Sequence, residues 1–187
     1  MDNGASSYRR FRNDGDENAL VEIIKDYKDG LIFYLNSFVG NIQIAEELAE
    51  ETFVLLGTKK PKDKGKGSFK TWLYTIGRNI TIDYLRKNSR RNEISINECS
   101  ELRIATEEFE SLYIKEQQRI IVHHAMSRLK SEHRQVLWLV YFEDFTQKQV
   151  ASVMKKSVHS IEQLVYRAKD SLKKQLEKEG YTYEELR

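Results

Sequence analysis

One stretch, residues 69–87, combines aromatic and basic side chains in a pattern that suits nucleic-acid binding. With about 100° of rotation per residue, one face of a helix here would carry Phe69, Trp72, Leu73, Ile76, Ile80 and Tyr84. The opposite face would carry Thr75, Arg78, Asn79, Ile82 and Arg86. A flexible basic run, residues 59–68, precedes this helix. Aromatic rings stack on bases, and cations neutralise phosphates. Asn79 and Arg86 share the exposed face, and we predict that Asn79 contacts a base edge and Arg86 a phosphate. Trp72 borders the packed face, which favours packing over base contact.

A second candidate surface lies just before this stretch and is acidic. Its glutamates are Glu46, Glu47, Glu50 and Glu51. Like charges at helical spacing repel one another and cost helix stability unless a basic group lies opposite them. Two interpretations stay open from this pattern, a solvated helix face and a docking surface for a basic partner protein.

The third candidate surface lies near the C-terminus. Thr146 and Gln149 have capping-box spacing, which predicts a short helix to about Met154. A polar turn over residues 155–157 and a helix from about 158 to 176 follow. This is the helix-turn-helix pattern, in which the second helix enters the major groove, although any three-helix bundle can produce the spacing. The outward residues would be His159, Ser160, Glu162, Gln163, Tyr166 and Arg167.

Within that helix, two side chains have a predicted DNA contact. Gln163 could make a bidentate contact to adenine. Arg167 could bind guanine or phosphate, and its place well inside the helix favours phosphate.

Catalytic and metal-binding chemistry finds little support. An enzyme that acts on nucleic acid through two metal ions needs a carboxylate cluster near the basic stretch, where the sequence has only Asp63 and Asp83. The neighbouring histidines, His123, His124 and His133, have no cysteine or carboxylate at ligand spacing, so we interpret them as packing or surface residues. The single cysteine, Cys99, excludes an internal disulfide. We therefore expect that the protein is not an enzyme and that it has no catalytic residue, no metal and no cofactor.

Composition and periodicity predict an all-α protein. The 187 residues include one proline and nine glycines, so the strongest helix breakers are scarce. We predict helices over residues 17–39, 42–56, 69–87, 109–129, 131–142, 146–154 and 158–176. Asp14 or Asp16 would cap the first helix, Gly40 would end it, and Ser131 would cap another. Residues 1–13 are predicted to be loosely ordered, and residues 88–108 lack an apolar stripe and fit a linker.

Charge distribution says more about partners than the formal net charge of +2. Residues 59–91 and 128–178 are basic, and an acidic segment separates them. This arrangement predicts two nucleic-acid contacts on one chain. The sequence has neither a signal peptide nor an apolar run long enough to span a membrane, so we expect a cytoplasmic protein without membrane insertion.

Three blocks together carry a resemblance to a known family. They read AEELAEETF at 45–53, FKTWLYTIGRNITIDYLRK at 69–87, and HRQVLWLVYFEDFTQKQVASVM with SIEQLVYRAKDSLKKQL over 133–176. In this order and spacing the chain resembles the extracytoplasmic-function (ECF) group of bacterial RNA polymerase sigma factors, in the sigma-70 family. The resemblance implies two small helical domains joined by a flexible linker, the second a helix-turn-helix domain. It places region 2 at residues 1–90, the linker at 91–108 and region 4 at 109–187.

The resemblance also implies a role for each surface. The polymerase-binding residues would be Glu46, Glu47, Glu50, Glu51 and Phe53. Contacts to the minus-ten promoter element would come from Lys66, Phe69, Thr75, Arg78, Asn79, Arg86 and Lys87, with a flipped base held near the basic loop. Contacts to the minus-thirty-five element would come from Gln147, Ser157, His159, Ser160, Glu162, Gln163 and Arg167.

The implied function is that of a promoter-specificity subunit that binds core RNA polymerase and directs transcription initiation. Its expected partners are core polymerase and promoter DNA, and an anti-sigma factor is a candidate because members of this group are often held by one. The alternative is a stand-alone helix-turn-helix transcriptional regulator, which would have no need of the acidic helix. The chain departs from the family's usual residues in two places. In the acidic block, Glu47 and Glu50 replace Asp and Gln. In the recognition helix, Glu162, Gln163 and Leu164 replace basic or small polar residues.

Overall fold

A computed structural model describes residues 3–63, 65, 67–91 and 121–181, and these residues contain helices and turns but no strand. The first half comprises α1 (Asn3–Arg9), a π-helical turn (Arg10–Asp14), α2 (Glu17–Val39), α3 (Ile42–Lys59) and α4 (Phe69–Arg91). The second half comprises α5 (residues 121–127), α6 (Ser131–Tyr141), α7 (Gln147–Met154) and α8 (Val158–Lys178). The all-α prediction is confirmed, and the two halves form two small helical domains. The predicted linker, residues 91–108, and the predicted start of the second domain at 109 fall almost entirely outside the described residues.

Local capping chemistry explains where most helices begin and end. Asp16 accepts a hydrogen bond from the Ala19 amide and caps α2, and Gly40 ends α2 in a left-handed conformation at φ 64°. Thr146 and Gln149 form the predicted capping box of α7. Ser157 caps α8 by accepting from the Ser160 amide at 3.1 Å. These side chains satisfy amide donors that a helix start otherwise leaves unpaired.

Two predictions about local order are wrong. Residues 3–14 are helical rather than loose, with Tyr8 and Phe11 buried. Ser131 does not cap α6, because it is the first helical residue and its hydroxyl donates to the Ser37 carbonyl at 3.0 Å. In both cases the partner lies far away in sequence, so local pattern could not indicate it.

The N-terminal domain packs α2, α3 and α4 around fully buried side chains. The core of this domain includes Leu31, Tyr34, Leu35, Leu56, Leu73 and Tyr74. Gly77 lets α4 approach α2 closely, since a Cβ at that position would lie 3.0 Å from Leu31 Cδ1. The burial of this apolar surface supplies the main stabilisation of the domain.

The C-terminal domain packs α6, α7 and α8 in the helix-turn-helix arrangement. Its core includes Val136, Leu139, Val150, Val153, Ile161 and Ala168. Lys155, in a left-handed conformation at φ 54°, ends α7 and starts the turn to α8. None of the described helices of either domain combines the length and apolar character that a membrane span requires.

The core assignment predicts a large stability loss for Leu35→Ala. Leu35 is fully buried, so its removal leaves a cavity and should lower the free energy of unfolding by about 2–5 kcal/mol. Val21→Ala, on the same helix at 61% exposure, is the control and should change it by less than about 0.5 kcal/mol. Urea unfolding of both variants measures the difference, and equal losses would contradict the core assignment.

Candidate nucleic-acid interface

The outward face of α4 carries most of the residues predicted for the minus-ten element. Arg86 and Lys87 are exposed, and Arg86 lies 3.5 Å from the Asp83 carboxylate. Thr75, Arg78 and Asn79 are half-buried. These five predicted side chains therefore form one polar and basic strip along the helix.

Two other residues predicted for this contact differ in their placement. Phe69 is fully buried, against Tyr8 and Trp72, so its ring is part of the core instead of the surface. The physical reason is that α1, which local sequence patterns do not indicate, covers the Phe69 ring. Lys66 lies outside the described residues. Trp72 packs against Tyr8 at 5.1 Å between ring centroids, in line with the preference for packing.

The residues predicted for the minus-thirty-five element gather on α7, on the turn and on the outward face of α8. All are exposed except Ser160, which is half-buried. Gln163 Nε2 lies 3.0 Å from His159 Nε2, and Arg167 Nε donates to the Gln163 carbonyl at 3.3 Å. Tyr166, at 77% exposure, extends the same face with a ring available for contact. This face therefore offers hydrogen-bond donors and acceptors at the place where a recognition helix meets the major groove.

The acidic face of α3 lies on a different side of the N-terminal domain. Glu46, Glu47, Glu50 and Glu51 are all exposed, and none of them takes part in an ion pair described for this chain. Phe53 is buried at 7% exposure and helps to line a shallow groove between α2 and α3. Leu20, Ile24 and the exposed Val54 also line that groove. The surface thus places carboxylates beside an apolar depression, a combination suited to a basic helix with some apolar side chains.

The strip on α4 faces the C-terminal domain across a cleft. Lys155 Nζ, in the turn before α8, donates to Asn79 Oδ1 at 2.8 Å. Gln149 Nε2 donates to Ser68 Oγ at 3.2 Å. The cleft is lined by Arg78, Asn79, Ile82, Asp83, Arg86, Glu132, Met154, Lys155 and Lys156. Cations from both domains therefore line one space, and the base-edge candidate Asn79 already has a partner within the chain.

A buried carboxylate, Glu143, is part of this domain contact. Its side chain accepts hydrogen bonds from Tyr74 Oη at 2.7 Å and from Trp138 Nε1 at 3.1 Å. Lys70 Nζ lies 2.8 Å from the same carboxylate and also donates to the Glu143 carbonyl at 3.0 Å. Burial, followed by the neighbouring Glu143 charge, raises the pKa of Tyr74, so the phenol stays protonated and donates. We call these four residues, Glu143, Tyr74, Trp138 and Lys70, the Glu143 cluster.

A second contact between the domains involves the end of α2. The Ser37 carbonyl accepts hydrogen bonds from Ser131 Oγ and from Arg134 Nε, at 3.0 and 3.1 Å. Phe33 packs against Trp138 with 5.4 Å between ring centroids. The domain contact therefore combines polar and aromatic interactions, and residues from α2, α4, α6 and α7 contribute to it. Sequence spacing could not indicate this contact because its partners are far apart in the chain.

Metal-ligating side chains are not clustered in the described ranges, where no three His, Cys, Asp or Glu residues lie close enough to hold an ion. His123 packs near Trp138 and Phe142, with 5.7 and 5.2 Å between ring centroids. His124 Nδ1 lies 3.4 Å from Glu179 Oε2. Both histidines thus have structural contacts of the kind expected for packing and surface residues.

Comparison with known proteins assigns both domains to described sequence families. The family described as Sigma-70 region 2 matches residues 23–91, and the family described as Sigma-70, region 4 matches residues 119–172. Together the two matches cover well over half of the chain. The first contains α4 and the acidic face of α3, and the second contains α7 and most of α8.

Bacterial sigma factors are similar to this chain over most of their length. RNA polymerase sigma factor YlaC of Bacillus subtilis is 24% identical over 165 residues, which cover 86% of this chain and 94% of that protein. ECF RNA polymerase sigma factor SigW of the same species is 23% identical over 176 residues, covering 87% and 91%. RNA polymerase sigma-H factor of Pseudomonas aeruginosa is 25% identical over 171 residues, covering 87% and 89%.

Solved structures with the same fold include two proteins in complex with a partner. The sigma factor RpoE from Bartonella quintana, in complex with the anti-sigma factor NepR, gives a TM-score of 0.68 at 20% identity and covers 84% of this chain and 96% of that one. CnrH, in complex with the cytosolic domain of CnrY, gives 0.62 at 19% identity and covers 94% and 95%. At these identities the likeness concerns the fold.

The Glu143 cluster generates a prediction about the domain contact. Glu143→Gln removes the charge that Lys70 faces, and should cost the contact about 1–3 kcal/mol because a buried charged acceptor is lost. We expect the distance between labels on Val54→Cys and Tyr166→Cys, in a Cys99→Ser chain, to shift to longer values in pulsed electron–electron double resonance.

The matched control for this measurement is Glu177→Gln, the same change at an exposed carboxylate of α8. It should give the same distance distribution as the labelled Cys99→Ser chain that carries neither glutamine substitution. Identical distributions for the two variants would show that Glu143 does not hold the domains together.

Proposed function

The chain belongs to the sigma-70 family, in its extracytoplasmic-function group, and is a promoter-recognising subunit of RNA polymerase; we propose that its three surfaces divide this work. The observation that carries the proposal is the separation of an acidic docking face on α3 from two basic or polar faces on α4 and α8. In this proposal, residues 1–90 form the region 2 domain, residues 91–108 the linker and residues 109–187 the region 4 domain.

Core polymerase docks on the acidic face of α3 in this proposal. Glu46, Glu47, Glu50 and Glu51 would pair with basic side chains of the clamp helices in the largest polymerase subunit, and Phe53 would form the floor of the adjoining groove. Two observations support this: the four carboxylates are exposed without a described ion-pair partner in the chain, and an apolar groove lies beside them. A stand-alone regulator would gain nothing from that arrangement, so this alternative is not favoured.

The minus-ten element would bind the strip on α4 and the basic loop before it. Asn79 would contact a base edge, Arg86 and Lys87 would contact phosphates, and Thr75, Arg78 and Lys66 would complete the surface. Phe69 would act from the core by supporting the helix that carries these residues. Because Asn79 Oδ1 accepts from Lys155 in the described arrangement, DNA must displace that contact before Asn79 can bind a base.

The minus-thirty-five element would bind the start of the second helix of the helix-turn-helix unit. Ser157, His159 and Ser160 lie at the N-terminus of α8, where helix amides favour phosphate. Gln163 suits adenine, Arg167 suits phosphate, and Glu162 suits the amino group of cytosine. Gln147 at the start of α7 would contact the backbone.

Two further assignments are part of the proposal. The protein acts in the cytoplasm with its polymerase and performs no catalysis of its own. A candidate regulator is an anti-sigma factor, since a sigma factor of the same fold is bound by NepR.

Run-off transcription with purified core polymerase tests the proposed function and the docking face together. Wild-type chain should yield promoter-dependent transcripts.

The Glu50→Lys, Glu51→Lys double variant should bind core at least about thirtyfold more weakly, because two attractive pairs become repulsive. Asp170→Lys with Glu177→Lys, an equal charge change on exposed positions of α8, should keep core affinity. Wild-type affinity in the α3 variant would refute the docking face, and the absence of any transcript or core complex with wild type would refute the function.

Arg86→Met tests the phosphate role of the α4 strip. The holoenzyme that carries it should bind promoter DNA more weakly at every sequence, and the slope of log affinity against log salt should fall by about one. Lys25→Met, which removes an exposed positive charge from α2, is the control and should leave the slope unchanged. A loss confined to one promoter sequence would instead make Arg86 a base-reading residue.

A further inference from the structure

The N-terminal segment, residues 3–14, folds over the aromatic end of α4. Tyr8 is 3% exposed, and its ring lies 5.5 Å from that of Phe69 and 5.1 Å from that of Trp72. Gly4 lies so close to Phe69 that a Cβ there would be 2.5 Å from the ring. The segment is therefore a packed part of the N-terminal domain, at the end of α4 that follows the basic loop.

Two side chains of this segment bond directly to the backbone at the start of the loop between α3 and α4. Tyr8 Oη donates to the Pro61 carbonyl at 2.6 Å, and Arg12 Nε donates to the Lys60 carbonyl at 3.2 Å. Lys60 Nζ in turn lies 4.5 Å from the centre of the Phe11 ring. Successive carbonyls of the loop are thus each held by one donor from the segment.

Lys60 needs such support because of its backbone conformation. It ends α3 in the left-handed region at φ 44°, which a residue with a side chain adopts at a cost. The bond to its carbonyl and the contact of its ammonium group with Phe11 offset that cost. The direction in which the chain leaves α3 is therefore set by residues 8–12.

The segment is itself anchored to α2. Ser7 Oγ and Arg10 Nη2 both donate to Glu22 Oε2, at 2.8 and 2.6 Å, and Arg10 Nε lies 3.3 Å from Asp16. Burial raises the pKa of Tyr8 to about 12, so its hydroxyl stays protonated and remains a donor. The loop start is consequently tied through Tyr8 and Arg12 to the long helix of the domain.

We propose that Tyr8 and Arg12 are positioning residues for minus-ten recognition, acting through the start of the basic loop. The inference rests on the proposed function, in which this loop and α4 bind the minus-ten element. The loop ends at Ser68, whose hydroxyl accepts from the Thr71 amide in the first turn of α4 at 3.2 Å. Because the start of the loop is held before DNA binds, less conformational freedom is lost there on binding, and affinity rises accordingly.

The test uses holoenzyme and a fork DNA from a promoter selected by run-off transcription with the wild-type protein. This probe is double-stranded over the minus-thirty-five element and single-stranded over the minus-ten element. Tyr8→Phe with Arg12→Met keeps the packing of both side chains and removes both donors. We expect it to bind the fork about tenfold more weakly, because two hydrogen bonds are lost. Tyr8→Phe alone, the more conservative change, should show a smaller loss in the same direction.

Three controls separate positioning from general damage. Arg9→Met removes an exposed charge from the same segment and should bind the fork like wild type. The double variant should keep its affinity for core polymerase and for duplex DNA that carries only the minus-thirty-five element. Tyr8→Phe with Arg12→Lys retains a donor at position 12, so it should bind the fork more tightly than Tyr8→Phe with Arg12→Met.

Each result has a distinct meaning. Wild-type fork affinity in the double variant would overturn the positioning role while the proposed function stands. An equal loss of core binding and fork binding would overturn it as well, since the segment would then only stabilise the domain. Failure of wild-type holoenzyme to bind the fork would refute the minus-ten assignment itself.

Discussion

The contact between the two domains contains one buried carboxylate whose charge has to be paired. Glu143 lies in the C-terminal domain, yet two of its partners, Tyr74 and Lys70, come from α4 of the N-terminal domain. A buried charge is costly unless it is paired and hydrogen-bonded, and here one carboxylate has three side-chain partners. Separation of the domains would leave only the Trp138 bond, but it would also return the carboxylate to water. The net contribution of this cluster to the domain contact is therefore modest, and in the proposed function this lets DNA displace the C-terminal domain from the strip on α4.

The same contact determines which surfaces are available. Asn79 on α4 is bonded to Lys155, and the basic residues of both domains line one cleft. The glutamates of α3 are exposed in this arrangement, and so is most of the outward face of α8. Among the described residues the acidic face is therefore open, whereas contact of DNA with Asn79 requires that the bond from Lys155 breaks. In the proposed function, polymerase docking can accordingly come before recognition of the minus-ten element.

Local sequence signals predicted most of the fold, and long-range contacts account for what they missed. Gly40, Thr146 and Asp16, which is one of two predicted caps, act within a few residues of their own positions, so local signals located these helix ends. The outward residues of α8 followed from the helical period for the same reason. Tyr8 is different, because its aromatic and carbonyl partners lie at Phe69, Trp72 and Pro61. Because the sequence pattern does not reveal these contacts, it predicts a loosely ordered N-terminal segment and a Phe69 side chain that contacts DNA.

The sequence pattern leaves two interpretations of the acidic face of α3, a solvated face and a docking surface, and the surroundings of the four glutamates bear on both. Four glutamates within six positions repel one another, and a basic group in the chain could have offset that cost. No ion pair among the described residues includes them, so within that part of the chain only solvent screening moderates the repulsion. A merely solvated face gains nothing from this density of like charge or from the apolar groove at its side. A basic partner helix relieves the repulsion and fills the groove at once, and this physical gain favours docking over solvation.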